Sequence, residues 1–226
     1  MKRFTALLLV LGFFMASTFS MAGELTDEMK KDGWVSIFDG KTLDGWKSNE
    51  KYEGFKVENG YIAAFGNRNH LFYMKEEFKN FEVMLDIKIN DNGNSGVFVK
   101  SQWQEEGWPI TGFEVQVNAT HKDPIKTGSL WGLVNIAKAP HNPDEWFTLH
   151  ITCVQNMIRI RVNGTTQYTY VDPREKDGPQ GAITPDTRRI SQKGYLNLQA
   201  HDPGSFPMFK NIFVKKLPDD MKKLPE

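Results

Sequence analysis

The 226-residue chain carries one cysteine, Cys153, so no internal disulfide staples it. Its stability has to come from a packed core. Neither sign of charge is in excess, with 28 basic and 28 acidic residues. That balance withholds the basic surface on which nucleic-acid binding depends. The one tight basic pair, Arg188-Arg189, reads as a solvated loop. HExxH, a CxxC pair, a glycine-rich phosphate loop and GxSxG are all absent. His70, His121, His141, His150 and His201 have no short metal-ligand spacing, so the sequence signals no metal and calls for no cofactor. A ligand set assembled from distant strands stays open. After the first two dozen residues, no stretch of ten or more shows a helical period.

Those first residues are an address. Lys2 and Arg3 precede the apolar run ALLLVLGFFMA, too short for a comfortable span, and Ser20-Met21-Ala22 supplies small residues for a peptidase. Residues 1–22 are expected to be a signal peptide that exports the chain to the periplasm or beyond, with no membrane insertion after cleavage. The alternative is an uncleaved anchor. Residues 23–226 suffice for a single domain with a real core.

What is present is alternation. LTDEMKK, 25–31, suits one short helix capped by Thr26. FKVENGYIAAF, 55–65, holds Asn59-Gly60 between two alternating runs, a strong hairpin signal. In FEVMLDIKI, Phe81, Val83, Leu85, Ile87 and Ile89 take one side. NSGVFVK, 94–100, and TGFEVQVN, 111–118, follow. Residues 147–171 read as two or three strands with turns at Gln155-Asn156 and Asn163-Gly164. GYLNLQA and MFKNIFVKKL close the chain. Cys153 alternates with Phe147, Leu149 and Ile151, the position of a small buried residue. Many short strands with regular turns predict an all-β sandwich or barrel. The Pro/Gly-rich segment 172–190 is the one long loop.

Three strands share an amide-rich parity. Glu114, Gln116 and Asn118 oppose Phe113, Val115 and Val117. Asn197, Gln199 and His201 share a side with Tyr195. Asn94, Phe98 and Lys100 oppose Val97 and Val99. In one sheet these make a broad polar face, either an ordinary wet face or the floor of a site. Trp103 and Trp108 in SQWQEEGWP, and Trp131 in TGSLWG, are core candidates by composition. On loops beside a polar face they also suit a sugar, whose C–H faces pack on aromatic rings.

The motifs IFDGKTLDGW (37–46), NSGVF (94–98), GFEVQV (112–117), TGSLWG (127–132), DEWFTLHI (144–151), RVNG (161–164) and GYLNLQAHDPGSFPMFKNIFVK (194–215) occur in this order. The ordered set resembles the 3-keto-disaccharide hydrolase domain family across nearly the whole mature chain. The resemblance implies a concanavalin A-like jelly-roll sandwich of two antiparallel sheets, with a concave face that binds carbohydrate. It also implies cleavage of glycosides already oxidised at C3. The chain departs from the common pattern at His201-Asp202-Pro203, at Lys100 where Arg is frequent, and at Lys210.

A 3-keto sugar needs no pair of flanking carboxylates, because the ketone acidifies the C2 proton and permits elimination of the aglycone from C1. One base, one proton donor and one stabiliser of the enolate oxygen suffice. Glu114 or His201 is expected as base and the other as donor, with Lys100 on the enolate oxygen. Asn94, Gln116, Asn118 and Gln199 would bond sugar hydroxyls, and Trp131 or Trp103 would stack on the ring. Plainer roles stay open: Glu114 pairing with Lys100 across strands, His201 capping a strand end, Asn94 serving a tight turn. A non-catalytic carbohydrate-binding module of the same fold is the alternative function.

Overall fold

The computed structural model describes residues 24–172 and 193–226. The helix expected at the start is α1 (Asp27–Lys31), with the Thr26 hydroxyl accepting from Met29 N–H at its N-cap. The strands begin with β1 (Trp34–Ser36), β2 (Trp46–Ser48), β3 (Phe55–Glu58), β4 (Tyr61–Ala64) and β5 (Asn69–Tyr73). Then come β6 (Phe81–Lys88), β7 (Ser95–Ser101), β8 (Phe113–Val117), β9 (Phe147–Val154), β10 (Met157–Val162) and β11 (Thr165–Val171). β12 (Tyr195–Ala200) and β13 (Met208–Lys216) complete the fold. The leader 1–22, the Arg188-Arg189 pair and all of the 172–190 loop except Asp172 lie outside the described residues.

These strands form two antiparallel sheets, the jelly-roll sandwich expected. One runs β11-β10-β9-β6-β13-β4-β3 with β1 also on β13, and the other runs β2-β5-β12-β7-β8. The predicted turns hold for a steric reason. Asn59 and Gly60 both have positive φ (49° and 82°), as do Asn163 and Gly164 (47° and 71°). Two consecutive left-handed residues match the twist of a tight hairpin, and Asn and Gly tolerate them best. The strands β1, β2 and β5 are three to five residues long and had no legible alternation.

Between the sheets lies one continuous apolar cluster. Val83, Leu85 and Ile87 of β6 and Leu149 and Ile151 of β9 meet Val97 and Val99 of β7, Phe113 and Val115 of β8, and Leu196 and Leu198 of β12. Each such side chain contributes roughly 1.5–3 kcal/mol when fully buried. Cys153 is part of this cluster, and burial pushes its thiol up to about 12. It is a packing residue and has no thiolate to offer.

The alternation of β7 fails at one residue. Asn197 of β12 faces Phe98, Tyr195 faces Ser101, and the register slips between them. Lys100 occupies this bulge with φ 59°. A residue in the left-handed region shifts the parity of those after it. Lys100 is buried and sits in electrostatic reach of the Cys153 thiol, on the core side of the sheet. Gly194 makes the bulge possible: a Cβ there would lie 2.3 Å from the Lys100 carbonyl carbon and 2.5 Å from its oxygen. Backbone cannot step aside as a flexible tip can. Gly194→Ala is therefore expected to lower unfolding free energy by about 2 kcal/mol in urea titrations; an unchanged midpoint would show that the bulge yields freely.

Candidate functional site

The side chains on the outer face of the five-stranded sheet are those the alternation sent away from the core. β8 supplies Glu114 and Gln116, β12 supplies Asn197 and Gln199, β7 supplies Phe98, and β5 supplies His70 and Phe72. An exposed antiparallel face is normally wet. Here His70, Asn197 and Gln199 are 0% exposed and Gln116 1%. The face is a covered polar floor.

Part of this floor opens into a cavity of about 270 Å³. Asn94, Glu114, Gln116 and His201 provide its polar wall, and Phe98, Trp108 and Trp131 its apolar one. Asp123, Pro109 and Gly112 complete the lining. The volume falls near the lower end of small-molecule sites and suits one ring better than a chain. Trp131 is held by its own N–H on the Glu114 carbonyl (3.0 Å), which lays the TGSLWG segment along the edge of β8.

His201 is the most highly organised group in this cavity. Its Nδ1 is 2.8 Å from Asp202 Oδ2, and its Nε2 is 3.3 Å from Asn94 Nδ2. A carboxylate on Nδ1 and an amide N–H on Nε2 together place the ring proton on Nδ1. The Nε2 lone pair then accepts from the Asn94 amide, and both side chains line the cavity. Asp202 is itself fixed by the Ser205 hydroxyl (2.9 Å) and the Gly204 N–H (2.8 Å). Burial opposes ionisation of Asp202, but these bonds and the one from His201 hold its carboxyl below the usual value. Asn94 is braced in turn by Gln116 Nε2 on its Oδ1 (2.8 Å). The arrangement orients an imidazole as a base.

Glu114 stands on the neighbouring strand. Its Oε1 accepts from Gln199 Nε2 at 3.2 Å. The carboxylate leans over Gly96 of β7, where a Cβ would sit 2.6 Å from Oε1 and 2.9 Å from Cγ. Gly96 is thus the gap that lets the acid lie across the sheet.

Deeper in the floor, His70 packs edge-on against Phe98 (5.3 Å) and Trp108 (5.4 Å). Burial first, then the charges of Arg68 and His201, pushes its imidazole down to about 3, so it is neutral at ordinary pH. Six buried polar atoms have no partner among the described residues: His70 Nδ1, Ser101 Oγ, Gln116 Oε1, Gln199 Oε1, and both amide atoms of Asn197. All six come from strands of the five-stranded sheet, a concentration that marks a site more than a fold.

The structure brings together Glu114, His201, Asn94, Gln116 and Trp131 at the cavity, with Gln199 directly behind Glu114. It does not bring Lys100 there, because the bulge turns that residue toward the core. Asn118 is also elsewhere: its Nδ2 donates to the carbonyls of Asp123 (3.0 Å) and Ile125 (2.9 Å) and clamps the following loop. Trp103 lies edge-on to Phe72 (5.1 Å) with the Lys47 ammonium 4.2 Å from its ring centre, outside the cavity lining. Sequence reasoning missed Asp202 and His70 as contributors, and it named Trp108 among the loop aromatics suited to a sugar without assigning it to the site. Only the adjacency of Asp202 to His201 carried a signal. Among the described residues, no three His, Cys, Asp or Glu side chains group as a metal-ligand set.

The chain matches the family model of the 3-keto-alpha-glucoside-1,2-lyase-like domain over residues 33–215. A 3-keto-disaccharide hydrolase of Bacteroides thetaiotaomicron is 35% identical over an alignment of 83 residues, 31% of this chain. The match spans 28% of that relative's length. A solved structure of a candidate glycosyl hydrolase from Parabacteroides distasonis superposes with a TM-score of 0.73 at 26% identity, covering 86% of this chain and 98% of that one. The carbohydrate-binding module CBM66 of Bacillus subtilis shares the fold, with a TM-score of 0.53 at 14% identity over 76% of this chain and 96% of that one. The chain belongs to the 3-keto-alpha-glucoside-1,2-lyase-like domain family.

Proposed function

We propose that this member of the family cleaves the glycosidic bond of a 3-keto-glycoside by eliminating the aglycone across C1 and C2 and then adding water. The observation that carries the reading is the Asp202–His201 pair, whose imidazole lines the same cavity as Glu114. His201 Nε2 takes the C2 proton, and the electron pair of that C–H bond becomes the enolate. Collapse of the enolate forms the C1–C2 double bond and breaks the bond from C1 to the aglycone oxygen. Glu114, in its protonated form, supplies the proton to that oxygen. Water then adds at C1, giving its proton to the Glu114 carboxylate, and His201 returns a proton to C2. The net change is hydrolysis, and without the last step it is a lyase reaction. That relation accommodates both a lyase-like family description and a relative named hydrolase.

The amides of Asn94 and Gln116 take over the enolate oxygen, the task the sequence had offered to Lys100. Trp108 and Trp131 supply the apolar face for the ring. Glu114 must reach the leaving oxygen, and Gly96 sets that reach. Gly96→Ala has ordinary backbone angles to adopt and pushes the Glu114 side chain aside from Cγ outward. It is expected to lower kcat/KM about tenfold, or about 1.4 kcal/mol of transition-state stabilisation, with melting temperature little changed. Unchanged turnover would detach Glu114 from the chemistry.

Incubating the protein with a synthetic 3-keto-glucoside tests the activity. Release of the aglycone is expected, with far slower release from the unoxidised glucoside. Sugar binding without release would favour a carbohydrate-binding module, a reading supported by the amide-rich floor and by the fold shared with CBM66. The leader motif supports export as part of this reading. The N-terminal residue of protein recovered from the periplasm or medium is expected near residue 23, and an intact Met1 would refute cleavage.

A further inference from the structure

The polar floor is larger than the cavity that opens onto it. Asn197 lies between Phe72 on β5 and Phe98 on β7, its direct cross-strand partners. It is 0% exposed, and neither its Nδ2 nor its Oδ1 has a partner among the described residues. The cavity does not reach it. An orphaned buried amide is destabilising, and packing alone does not explain its presence here. The segment 102–112 separates this part of the floor from solvent, with Trp103 on Phe72 and Trp108 on His70 and His201.

Side-chain bonds tie this roof to the rest of the molecule at two places, Gln102, whose Nε2 donates to the Lys193 carbonyl (2.9 Å), and Gly107. Glu50 Oε1 accepts from Gly107 N–H (3.0 Å) while pairing with Arg68 (2.8 Å), and Asn49 Nδ2 donates to the Gly107 carbonyl (2.9 Å). Gln104 ties the turn to itself through Ile110 N–H (3.0 Å) and the Trp108 carbonyl (2.8 Å). Gly107 and Gly112 carry positive φ (86° and 80°) at its middle and its end. Such a segment can swing as a unit about its glycine positions without disturbing the sheet beneath.

We propose that the 102–112 segment is a movable roof over a second subsite, in which the aglycone ring of a disaccharide is held by the Asn197 amide between the Phe72 and Phe98 rings. This deepens the reading that the open cavity takes the 3-keto ring, and it rests on that reading. The orphaned amide supplies both a donor and an acceptor, which suits a hydroxyl-bearing ring. Phe72, Phe98 and Trp103 supply the apolar faces on which the ring's C–H groups pack. The floor thereby becomes a two-ring cleft, with one ring at Glu114 and His201 and the other at Asn197.

The test compares kcat/KM for a 3-keto-disaccharide and for the methyl 3-keto-glucoside in wild type and in Asn197→Leu. Wild type is expected to prefer the disaccharide at least tenfold, chiefly through KM, and Asn197→Leu to reduce that preference to near unity. The variant should melt no lower than wild type, since it removes an orphaned amide and keeps the volume. A preference that survives in Asn197→Leu, or no preference in wild type, overturns the subsite. So does a clear loss of melting temperature, which would give Asn197 a structural role. Turnover of neither substrate would sink the parent reading and the subsite with it, whereas turnover of both without discrimination sinks the subsite alone. Amide hydrogen exchange reads the roof: Gly107 and Ile110 should exchange well before the amides of β7 and β8, and exchange only on global unfolding would contradict a roof that moves.

Discussion

His201→Asn is expected to lower kcat on a 3-keto-glucoside by about 10²–10⁴-fold, the usual worth of a positioned acid–base group. The side chain is half-exposed at a strand end, and Asn keeps a donor for Asp202 while losing the basic Nε2. The fold should therefore survive and KM change little. Asp202→Asn probes the same base through its orientation. An amide N–H facing Nδ1 would favour the other tautomer and move the proton onto Nε2, where the lone pair is needed. Its turnover should fall about as far, although the imidazole itself is intact. A loss in His201→Asn alone would leave Asp202 a strand-end brace. If both variants turned over within threefold of wild type, the base would lie elsewhere, with Glu114 the remaining candidate in the cavity.

The second large effect is on stability against acid. His70 is sealed beneath Trp108 and beside Phe98. Burial holds its imidazole down at about 3, against an ordinary value of 6.5. In the unfolded chain His70 takes a proton as pH falls through 6.5, whereas in the folded chain it does not until about pH 3. The unfolded state thus binds the extra proton within that window, and folding stability rises with pH across it. The group's contribution is complete above its unfolded value and is lost on going down at about 1.4 kcal/mol per pH unit. Between about pH 7 and pH 5 wild type should lose on the order of 2 kcal/mol that His70→Gln does not lose. The carboxylates that fold with lowered values, Glu82 and Asp202, titrate below this range and do not confuse the comparison. Urea unfolding at the two pH values measures it. Parallel losses in both proteins would mean that folded His70 accepts a proton readily, which the floor with its roof closed does not allow.

Much of the architecture was written in side-chain parity. The alternation of Phe81 to Ile89, the Asn-Gly turns and the apolar position of Cys153 each depend on local geometry with a fixed period, and each appears in the sandwich as expected. The shared polar parity of Glu114, Gln116 and Gln199 likewise survived, because β8 and β12 flank β7 in the same sheet. Lys100 was misplaced because one left-handed residue resets the parity, and a lysine gives no warning that it will adopt φ 59°. Asn118 looked like a ligand because alternation reports which side a residue faces and not which loop carbonyls it meets there. Trp103 and Trp108 exchanged importance because the path of an eleven-residue connection is set by long-range anchors such as Glu50 on Gly107. His70 was hidden in NHLFY, a five-residue strand buried on both faces and so without a period to read.

The proposed chemistry requires the C2 proton to leave before the glycosidic bond is broken. It is tested most directly by turning over a 3-keto-glucoside in heavy water and locating deuterium in the released 3-keto sugar within the first few per cent of reaction. Deuterium is expected at C2 of the released product well above the level from non-enzymatic exchange of the same sugar, to the extent that protonated His201 at the open cavity exchanges with solvent before it returns a proton. Product released at the same rate but carrying its original proton at C2 would contradict that chemistry, and would point to direct hydrolysis at C1 instead.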